Sequence, residues 1–338
     1  MTPDERYLFV ANTGSGENTS ENRITVVETT THQVAATIEV GAAPLDLAVS
    51  GDSRLVYVTN SQAQSISVID VLSLTERPVR IRVSTSGSGP YGVAVSSDGS
   101  RLYVTDIDGG QVLVIDAERG ITTARISVVS SPRSLVLSPD NTRLYVAGFD
   151  GNISVIDTNA LSVVATILTG DSGVFRLALS SDGSRLYATD RVNAQLIVID
   201  VAQNRVINRV DVLPQGQETR DLFVSPDGSR LYVTNQDSND LVVFDTESLQ
   251  ILRTLRLSDG PRGLAVRPQP FVFQPTQNVA QQADFDGSGK VDFGDFLLFV
   301  NVFGSNESDA RFDLDEDGRI NFSDFLLFAG VFGKVANS

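Results

Sequence analysis

The stretch RLYVTD at residues 101–106 decides the fold, because close copies of it recur along most of the chain. The copies are RLVYVTN at 54–60, RLYVAG at 143–148, RLYATD at 185–190, RLYVTN at 230–235 and a degenerate RYLFVAN at 6–12. Successive copies lie 42 to 48 residues apart. A repeat of this length, rich in β-forming residues, is typical of a β-propeller, in which each repeat folds into one blade.

Four strands can be recognised within each repeat. An apolar strand such as GVAVS (92–96) leads through a polar turn into the RLYVT strand. A variable loop follows, then a third strand such as VLVID (112–116) and a fourth such as VVATIL (163–168). Val, Ile, Thr and Tyr dominate these segments, as strands prefer, and helical periodicity is absent. The pattern therefore predicts all-β, four-stranded antiparallel blades.

The first strand of the repeat is out of step with the other three. The N-terminal repeat lacks a first strand, whereas RGLAVR at 262–267 is a first strand with no successor. We predict a six-bladed propeller over residues 1–267, with the ring closed by pairing of this C-terminal strand with the N-terminal blade. Closure removes exposed sheet edges.

The repeated motif resembles the YVTN family of β-propeller repeats over residues 1–267. Members of that family occur in surface and secreted proteins of bacteria and archaea, so the resemblance implies a secreted or cell-surface location. The first residues, MTPDERYLFV, have neither the basic start nor the apolar run of a signal peptide. The family motif is informative about fold and says little about function.

One face of the predicted propeller varies from blade to blade. The loops between the second and third strands differ in every repeat, and strand parity puts them beside the start of the innermost strands. The second and third residues of those strands include Arg and aromatic side chains. Such side chains suit an acidic or sugar-like group of a protein or glycan ligand. The predicted ligand face is Tyr91, Arg133, Phe175, Arg176, Arg220 and Arg262. In the alternative interpretation these Arg side chains pair with Asp46, Asp221 or the backbone and fill the funnel.

Several conspicuous polar residues have a structural interpretation. An acid ends every third strand, where we expect it to form a turn; these acids are Glu28, Asp70, Asp116, Asp157, Asp200 and Asp245. The chain has one histidine, His32, in a predicted outer turn, where a solvated loop residue is expected. With one His and no Cys, the composition excludes zinc–sulfur and multi-histidine metal sites.

Two twelve-residue segments of the tail, DFDGSGKVDFGD (284–295) and DLDEDGRINFSD (313–324), fit an EF-hand-type calcium loop. Positions 1, 3, 5, 7, 9 and 12 are Asp284, Asp286, Ser288, Lys290, Asp292 and Asp295 in the first copy and Asp313, Asp315, Asp317, Arg319, Asn321 and Asp324 in the second. We predict two Ca²⁺ ions as cofactors. Position 12 is Asp instead of Glu in both copies, which predicts an affinity suited to extracellular calcium.

Each loop leads into an apolar segment, DFLLFVNVFG (295–304) or DFLLFAGVFG (324–333), for which we predict one helix. This duplicated loop-plus-helix pattern resembles a dockerin over residues 283–334, which implies a cohesin-like partner. The positions that read the partner in dockerins carry Phe293–Gly294 and Phe322–Ser323 here, a departure from the usual polar pairs. Alternatively, the Phe stripes pack on each other as a self-contained cap. Residues 268–282, rich in Pro and Gln, are predicted to be a linker.

Charge and hydropathy exclude two classes of partner. The formal net charge is −16, and residues 284–324 hold eleven acids and three bases, which is about half of that charge. Nucleic-acid binding needs a basic footprint, so no nucleic-acid partner is expected. No run of eighteen apolar residues occurs, so no membrane insertion is expected.

Together these observations predict a non-enzymatic extracellular or cell-surface binding and scaffold protein. Its propeller face would bind a protein or glycan, and its calcium loops would mediate docking or anchoring. Two alternatives stay open: a propeller hydrolase or lactonase with a divalent metal in the central channel, and a purely structural surface repeat. The hydrolase would need three or four metal ligands, and the innermost strands offer the carboxylates Asp46 and Asp221.

Overall fold

The computed structural model describes residues 1–12, 22–83, 87, 89–170, 173–212, 218–225, 227–257, 283–286, 288, 290–302, 312 and 328. The chain divides into two compact units, Met1–Pro270 and Phe271–Ser338. The predicted boundaries at 267 and 283, and the linker between them, border or lie outside the described residues and stay predictions. Among the described residues, no helix is both long and apolar enough to cross a lipid bilayer.

The described residues of the first unit form six antiparallel sheets in chain order, each built from strands that are consecutive in the chain. The first blade has β1 (Tyr7–Asn12), β2 (Arg23–Glu28) and β3 (Gln33–Glu39); the second has β4 (Pro44–Val49), β5 (Leu55–Asn60), β6 (Ser65–Asp70), β7 (Thr75–Glu76) and β8 (Ile81–Arg82); the third has β9 (Pro90–Val95), β10 (Arg101–Asp106), β11 (Gln111–Asp116) and β12 (Ile121–Ser127). The fourth has β13 (Pro132–Leu137), β14 (Arg143–Gly148), β15 (Asn152–Asp157) and β16 (Ser162–Leu168); the fifth has β17 (Val174–Leu179), β18 (Arg185–Asp190), β19 (Gln195–Asp200) and β20 (Arg205–Asp211); the sixth has β21 (Thr219–Val224), β22 (Arg230–Asn235), β23 (Asp240–Asp245) and β24 (Ile251–Arg256).

The outer edge of the second blade is interrupted. Two short strands, β7 and β8, both pair with β6 where the other complete blades have one continuous fourth strand. Pro78 lies in the interval between them. Proline has no N–H to donate to the sheet, so the edge strand stops there and resumes after the break.

The alternation of the repeated motif positions each blade between its two neighbours. In β10, Leu102 and Val104 pack into a buried cluster shared with the second blade, whereas Tyr103 packs into a cluster shared with the fourth. Successive side chains of a strand point to opposite faces, so one motif supplies both contacts. The equivalent tyrosines Tyr57, Tyr145 and Tyr187 are also almost fully buried.

Among the described residues, the core of the first unit contains five hydrophobic clusters, and each lies between two successive blades. The innermost strands β4, β9, β13, β17 and β21 are neighbours in chain order, and β1, the second strand of its repeat, lies beside β4. Four of the six sheets have four strands, and this arrangement of antiparallel sheets confirms the six-bladed β-propeller. The predicted closing strand, 262–267, lies outside the described residues.

The second unit contains α1 (Phe293–Val302), which begins two residues before the predicted start at Asp295. The Asp292 carboxylate accepts the Gly294 N–H at 2.9 Å, so this residue caps the helix N-terminus. Phe285 and the helix residue Phe299 stack on Phe328 of the second copy, with ring centroids 5.8 and 5.5 Å away. The two copies therefore meet through aromatic side chains. The rest of the second copy, including the loop 313–324 and its predicted helix, lies outside the described residues.

Candidate functional site

A β-bulge shapes the start of every innermost strand that the structure describes. The register of β4, β9, β13, β17 and β21 against its neighbour shifts within the first four residues of the strand. Bulges bend a strand and redirect its side chains. The second and third residues of these strands, which include most of the predicted ligand face, lie in the irregular segment.

A threonine hydroxyl satisfies the backbone at four of these bulges. The hydroxyl oxygens of Thr59, Thr105, Thr189 and Thr234 accept N–H groups from the first strand at 2.7 to 3.1 Å. Thr59 and Thr105 also donate to the carbonyl oxygens of Tyr91 and Arg133 in the following blade, at 2.6 and 2.9 Å. The Thr of the repeated motif therefore fixes the backbone that carries the candidate site.

Arg176 crosses the channel and pairs with two acids. Its Nε lies 2.8 Å from Asp221 Oδ1 and its Nη2 lies 3.2 Å from Asp46 Oδ1. The attraction of Asp46 and then Asp221 raises the pKa of Arg176 above its ordinary value. This side chain thus follows the alternative interpretation, in which Arg of the funnel pairs with Asp46 and Asp221.

Arg133 lies among three aromatic rings. Its guanidinium carbon is 4.8 Å from the ring centre of Phe149, 5.4 Å from that of Tyr91 and 5.5 Å from that of Phe175. These distances are within the range of cation–π attraction. The Tyr91 and Phe175 rings meet edge to face, with centroids 6.4 Å apart.

Two further arginines lie close to the Phe175 ring. The guanidinium carbons of Arg191 and Arg220 lie 5.5 and 5.4 Å from the ring centre. Both arginines form ion pairs with Glu218, at 2.8 Å for Arg220. The hydrogen bond from Arg191 and the charges of both arginines lower the pKa of Glu218.

The structure thus brings Tyr91, Arg133, Phe175 and Arg220 of the predicted ligand face together, and it assigns Arg176 to an internal ion pair. Arg262 lies outside the described residues. Sequence reasoning missed Phe149, Arg191 and Glu218. Phe149 and Arg191 are the first residues of variable loops, and their N–H groups bond to the carbonyl oxygens of Ser131 and Gly173. This recurring backbone bond places the first residue of the loop beside the start of the innermost strand. The position directly after the second strand was therefore the signal that the sequence analysis did not use.

The acids at the ends of the third strands form turns, as predicted. In four blades their carboxylates accept two backbone N–H groups or one backbone and one side-chain group of the following turn, as Asp70 does from Leu72 and Ser73 at 3.0 Å. His32 is exposed and has the left-handed φ of 56° in the equivalent turn. Neither group lies at the channel mouth.

The first calcium loop brings three of its predicted ligands together. Carboxylate oxygens of Asp284, Asp286 and Asp295 lie within 4.8 Å of one another. Asp295 is fully buried, and its two oxygens accept the N–H groups of Asp286 and Asp292 at 3.0 and 2.8 Å. A cluster of hard oxygen donors closed by its last residue fits a calcium ion.

The remaining predicted ligands of this loop also take part in hydrogen bonds. Ser288 donates its hydroxyl to the Lys290 carbonyl oxygen at 3.1 Å, and Asp292 caps α1. Val291, at loop position 8, is fully buried with Ala283 and Phe328. The six predicted ligands of the second loop, Asp313, Asp315, Asp317, Arg319, Asn321 and Asp324, lie outside the described residues.

Comparison with known proteins separates the chain into the same two parts. Residues 1–256 match the model of a family described as lactonase, 7-bladed β-propeller. The chain belongs to that family. Residues 282–329 match the dockerin type I domain, so this lactonase-family propeller carries a C-terminal dockerin. The family description counts seven blades, whereas the described residues of this member form six sheets.

Among solved structures, this lactonase-family chain is similar to the hydrazine synthase of Kuenenia stuttgartiensis. The two share 25% sequence identity with a TM-score of 0.61, over 67% of this chain and 71% of that one. The likeness is one of fold over about two thirds of this chain. A search of curated proteins finds no match.

Proposed function

We propose that this protein is a non-enzymatic extracellular or cell-surface binding protein whose propeller face captures a ligand while its dockerin attaches it to a partner. The observation that carries the proposal is the channel mouth, where Arg133 and the aromatic rings converge beside loops that differ between blades. A protein or glycan is the ligand class that such a face suits. Dockerins occur in secreted and surface proteins, which supports the location.

The dockerin supplies the attachment. The convergent acids Asp284, Asp286 and Asp295 support calcium binding, and the repeated sequence motif extends this to two ions. On α1, Phe293 and Leu297 are 63% and 51% exposed and lie one turn apart. These two side chains form an exposed apolar strip beside the calcium loop. Such a strip suits docking onto a cohesin-like partner.

A calcium-dependent binding measurement tests the docking role. Recombinant type I cohesin would be titrated calorimetrically into the full chain, first with Ca²⁺ and then with EGTA. We expect binding with Ca²⁺ and its loss in EGTA, because the repelling loop carboxylates need the cation to fold. Asp286→Ala should reduce binding at least about tenfold, whereas Asp116→Asn, an acid of an outer propeller turn, should not change it.

Binding that persists equally in EGTA would contradict calcium-dependent docking. Absence of cohesin binding under both conditions, together with a calcium-induced rise in thermal stability, would make the second unit a calcium-folded cap. The propeller face is tested separately by screening the full chain against an array of neutral and acidic glycans.

The family assignment supports a second candidate, a lactone hydrolase. Such an enzyme would use a divalent metal in the channel, with Asp46 and Asp221 as carboxylate ligands. Arg176 already neutralises both acids, which favours the binding protein. Lactone hydrolysis by the full chain that needs a divalent metal and is lost in Asp221→Asn would establish the hydrolase instead.

A further inference from the structure

The side chain of Arg133 differs from the other arginines of the channel mouth in its partners. Arg176 pairs with Asp46 and Asp221, and Arg191 and Arg220 share Glu218. Within the part of the chain that the structure describes, the Arg133 guanidinium has three aromatic neighbours and forms no hydrogen bond or ion pair. Its Nε is buried without a hydrogen-bond partner.

Aromatic neighbours stabilise the positive charge of a guanidinium but leave its N–H donors without acceptors. The ring faces attract the positive charge, but they do not replace hydrogen-bond acceptors in the guanidinium plane. A buried donor without an acceptor is destabilising, and a ligand that supplies the acceptor removes that cost. The aromatic cage also holds the side chain in place before any ligand arrives, so little conformational entropy is lost on binding.

The charge balance of the mouth indicates the charge of the ligand. Among the described side chains of this cluster, four arginines (Arg133, Arg176, Arg191 and Arg220) face three acids (Asp46, Glu218 and Asp221). One positive charge is left over in a protein whose formal net charge is −16. The excess falls on Arg133, the member of the cluster without a carboxylate.

A carboxylate matches this guanidinium in charge, shape and bonding. It carries one negative charge, is planar, and accepts two parallel N–H bonds from the guanidinium fork. A phosphate dianion would call for a second unpaired cation, and the neighbouring Arg191 and Arg220 are already engaged by Glu218.

We propose that Arg133, held by Tyr91, Phe149 and Phe175, binds a carboxylate of the ligand that enters the channel mouth. The carboxylate belongs either to a uronate of an acidic glycan or to a small free organic acid. This inference rests on the proposed ligand-binding role of the propeller face and names the chemical group that the face recognises.

The test titrates the full chain by calorimetry with sodium D-galacturonate, tri-galacturonate, acetate and the neutral sugar galactose. The variants are Arg133→Met, which keeps most of the side-chain volume and removes the charge, and Arg133→Lys, which keeps the charge and removes the fork. Arg119→Met is the matched control, because Arg119 is 74% exposed in an outer turn. All variants are first compared by circular dichroism.

We expect the acidic probes to bind the wild-type chain and galactose not to bind. Arg133→Met should weaken the acidic probes at least about tenfold, Arg133→Lys should weaken them less, and Arg119→Met should not change them. Tighter binding of tri-galacturonate than of the monomer identifies the glycan source, and equal binding of acetate and galacturonate identifies a free acid.

Equal binding of galactose and galacturonate, no binding of any acidic probe, or unchanged affinity in Arg133→Met would overturn the inference. If Arg133→Met does not fold, NMR of the ¹⁵N-arginine-labelled wild-type protein replaces it. The Nε–H signal of Arg133 is assigned by its absence from the spectrum of Arg133→Lys. This signal must shift on addition of galacturonate and must not shift on addition of galactose. A propeller that binds neutral glycans on the array and ignores carboxylates would keep the proposed function and lose this inference.

Discussion

The threonine of the repeated RLYVT motif joins neighbouring blades through its hydroxyl group. Thr105 is fully buried, accepts the Gly92 N–H at 2.7 Å and donates to the Arg133 carbonyl oxygen at 2.9 Å. The blades approach so closely here that a Cβ on Gly92 would clash with that carbonyl oxygen. The β-propensity of Thr explains why it is allowed in the strand, and the hydroxyl explains why Val would not serve equally well.

Replacing this hydroxyl by a methyl group tests its contribution. Thr105→Val keeps the volume and leaves a buried N–H and a buried carbonyl group without their partner, so we expect a loss of about 2 kcal/mol in the free energy of unfolding. The melting temperature should fall by about 4–8 °C. Thr254→Val in the exposed strand β24 is the control and should be neutral. Equal stability of the two variants would show that water replaces the hydroxyl.

At the scale of elements, the turn between the first and second strands recurs with the same hydrogen bonds in five blades. A serine hydroxyl donates to the carboxylate of the aspartate two residues later, as Ser96 does to Asp98 at 2.5 Å. These bonds, with the backbone N–H of the turn, lower the pKa of Asp98, Asp140, Asp182 and Asp227 to about 2. The turn is therefore a structural unit, as its repetition in the sequence predicts.

These turns predict acid sensitivity of the propeller. A folded pKa of about 2 lies below the value of about 3.9 in an unfolded chain, so the turns stabilise the fold above pH 4 and the contribution is lost as the pH falls toward 2. Urea unfolding at pH 5, 4, 3 and 2 should show a falling midpoint. In Asp98→Asn, whose amide oxygen still accepts hydrogen bonds, the fall should be smaller. A pH dependence identical to that of the wild type would contradict the role of Asp98.

The elements also show what periodicity can and cannot predict. Alternating apolar residues and turn residues were enough to locate the strands of each blade, because both depend on neighbours in sequence. The bulges of the innermost strands carry no such signal, since they depend on a Thr hydroxyl from the next strand. The start of α1 was predicted two residues late because the apolar run begins after Asp295, whereas the helix begins directly after Asp292, which caps it.

At the scale of the whole molecule, the candidate site combines residues that are far apart in sequence. Tyr91, Arg133 and Phe175 come from the third, fourth and fifth blades, and Phe149 comes from a loop. Aligning the repeats predicts which positions of the innermost strands lie at the channel mouth. The pairing of particular side chains could not be predicted, because it depends on which blades face each other across the channel.

The role of Arg176 depends on the positions of three different blades. It connects the fifth blade to Asp46 of the second and Asp221 of the sixth, so a single guanidinium holds three blades around the channel. The two acids are 14% and 8% exposed, and the arginine is 30% exposed. Removing the cation leaves two poorly solvated carboxylates near each other, which is more costly than removing all three charges.

Arg176→Met should therefore lower the free energy of unfolding by about 1–3 kcal/mol. This is less than the cost of breaking a fully buried ion pair, because solvent partly screens these charges. The triple variant Asp46→Asn, Arg176→Met, Asp221→Asn should recover part of this loss. Millimolar Mg²⁺ should stabilise Arg176→Met more than the wild type, because the two freed carboxylates can share the ion, and the dockerin contributes equally to both proteins. Chemical denaturation with and without Mg²⁺ measures all three effects. An Arg176→Met protein as stable as the wild type and insensitive to Mg²⁺ would mean that the two acids do not depend on Arg176, and would contradict its role in holding the three blades together.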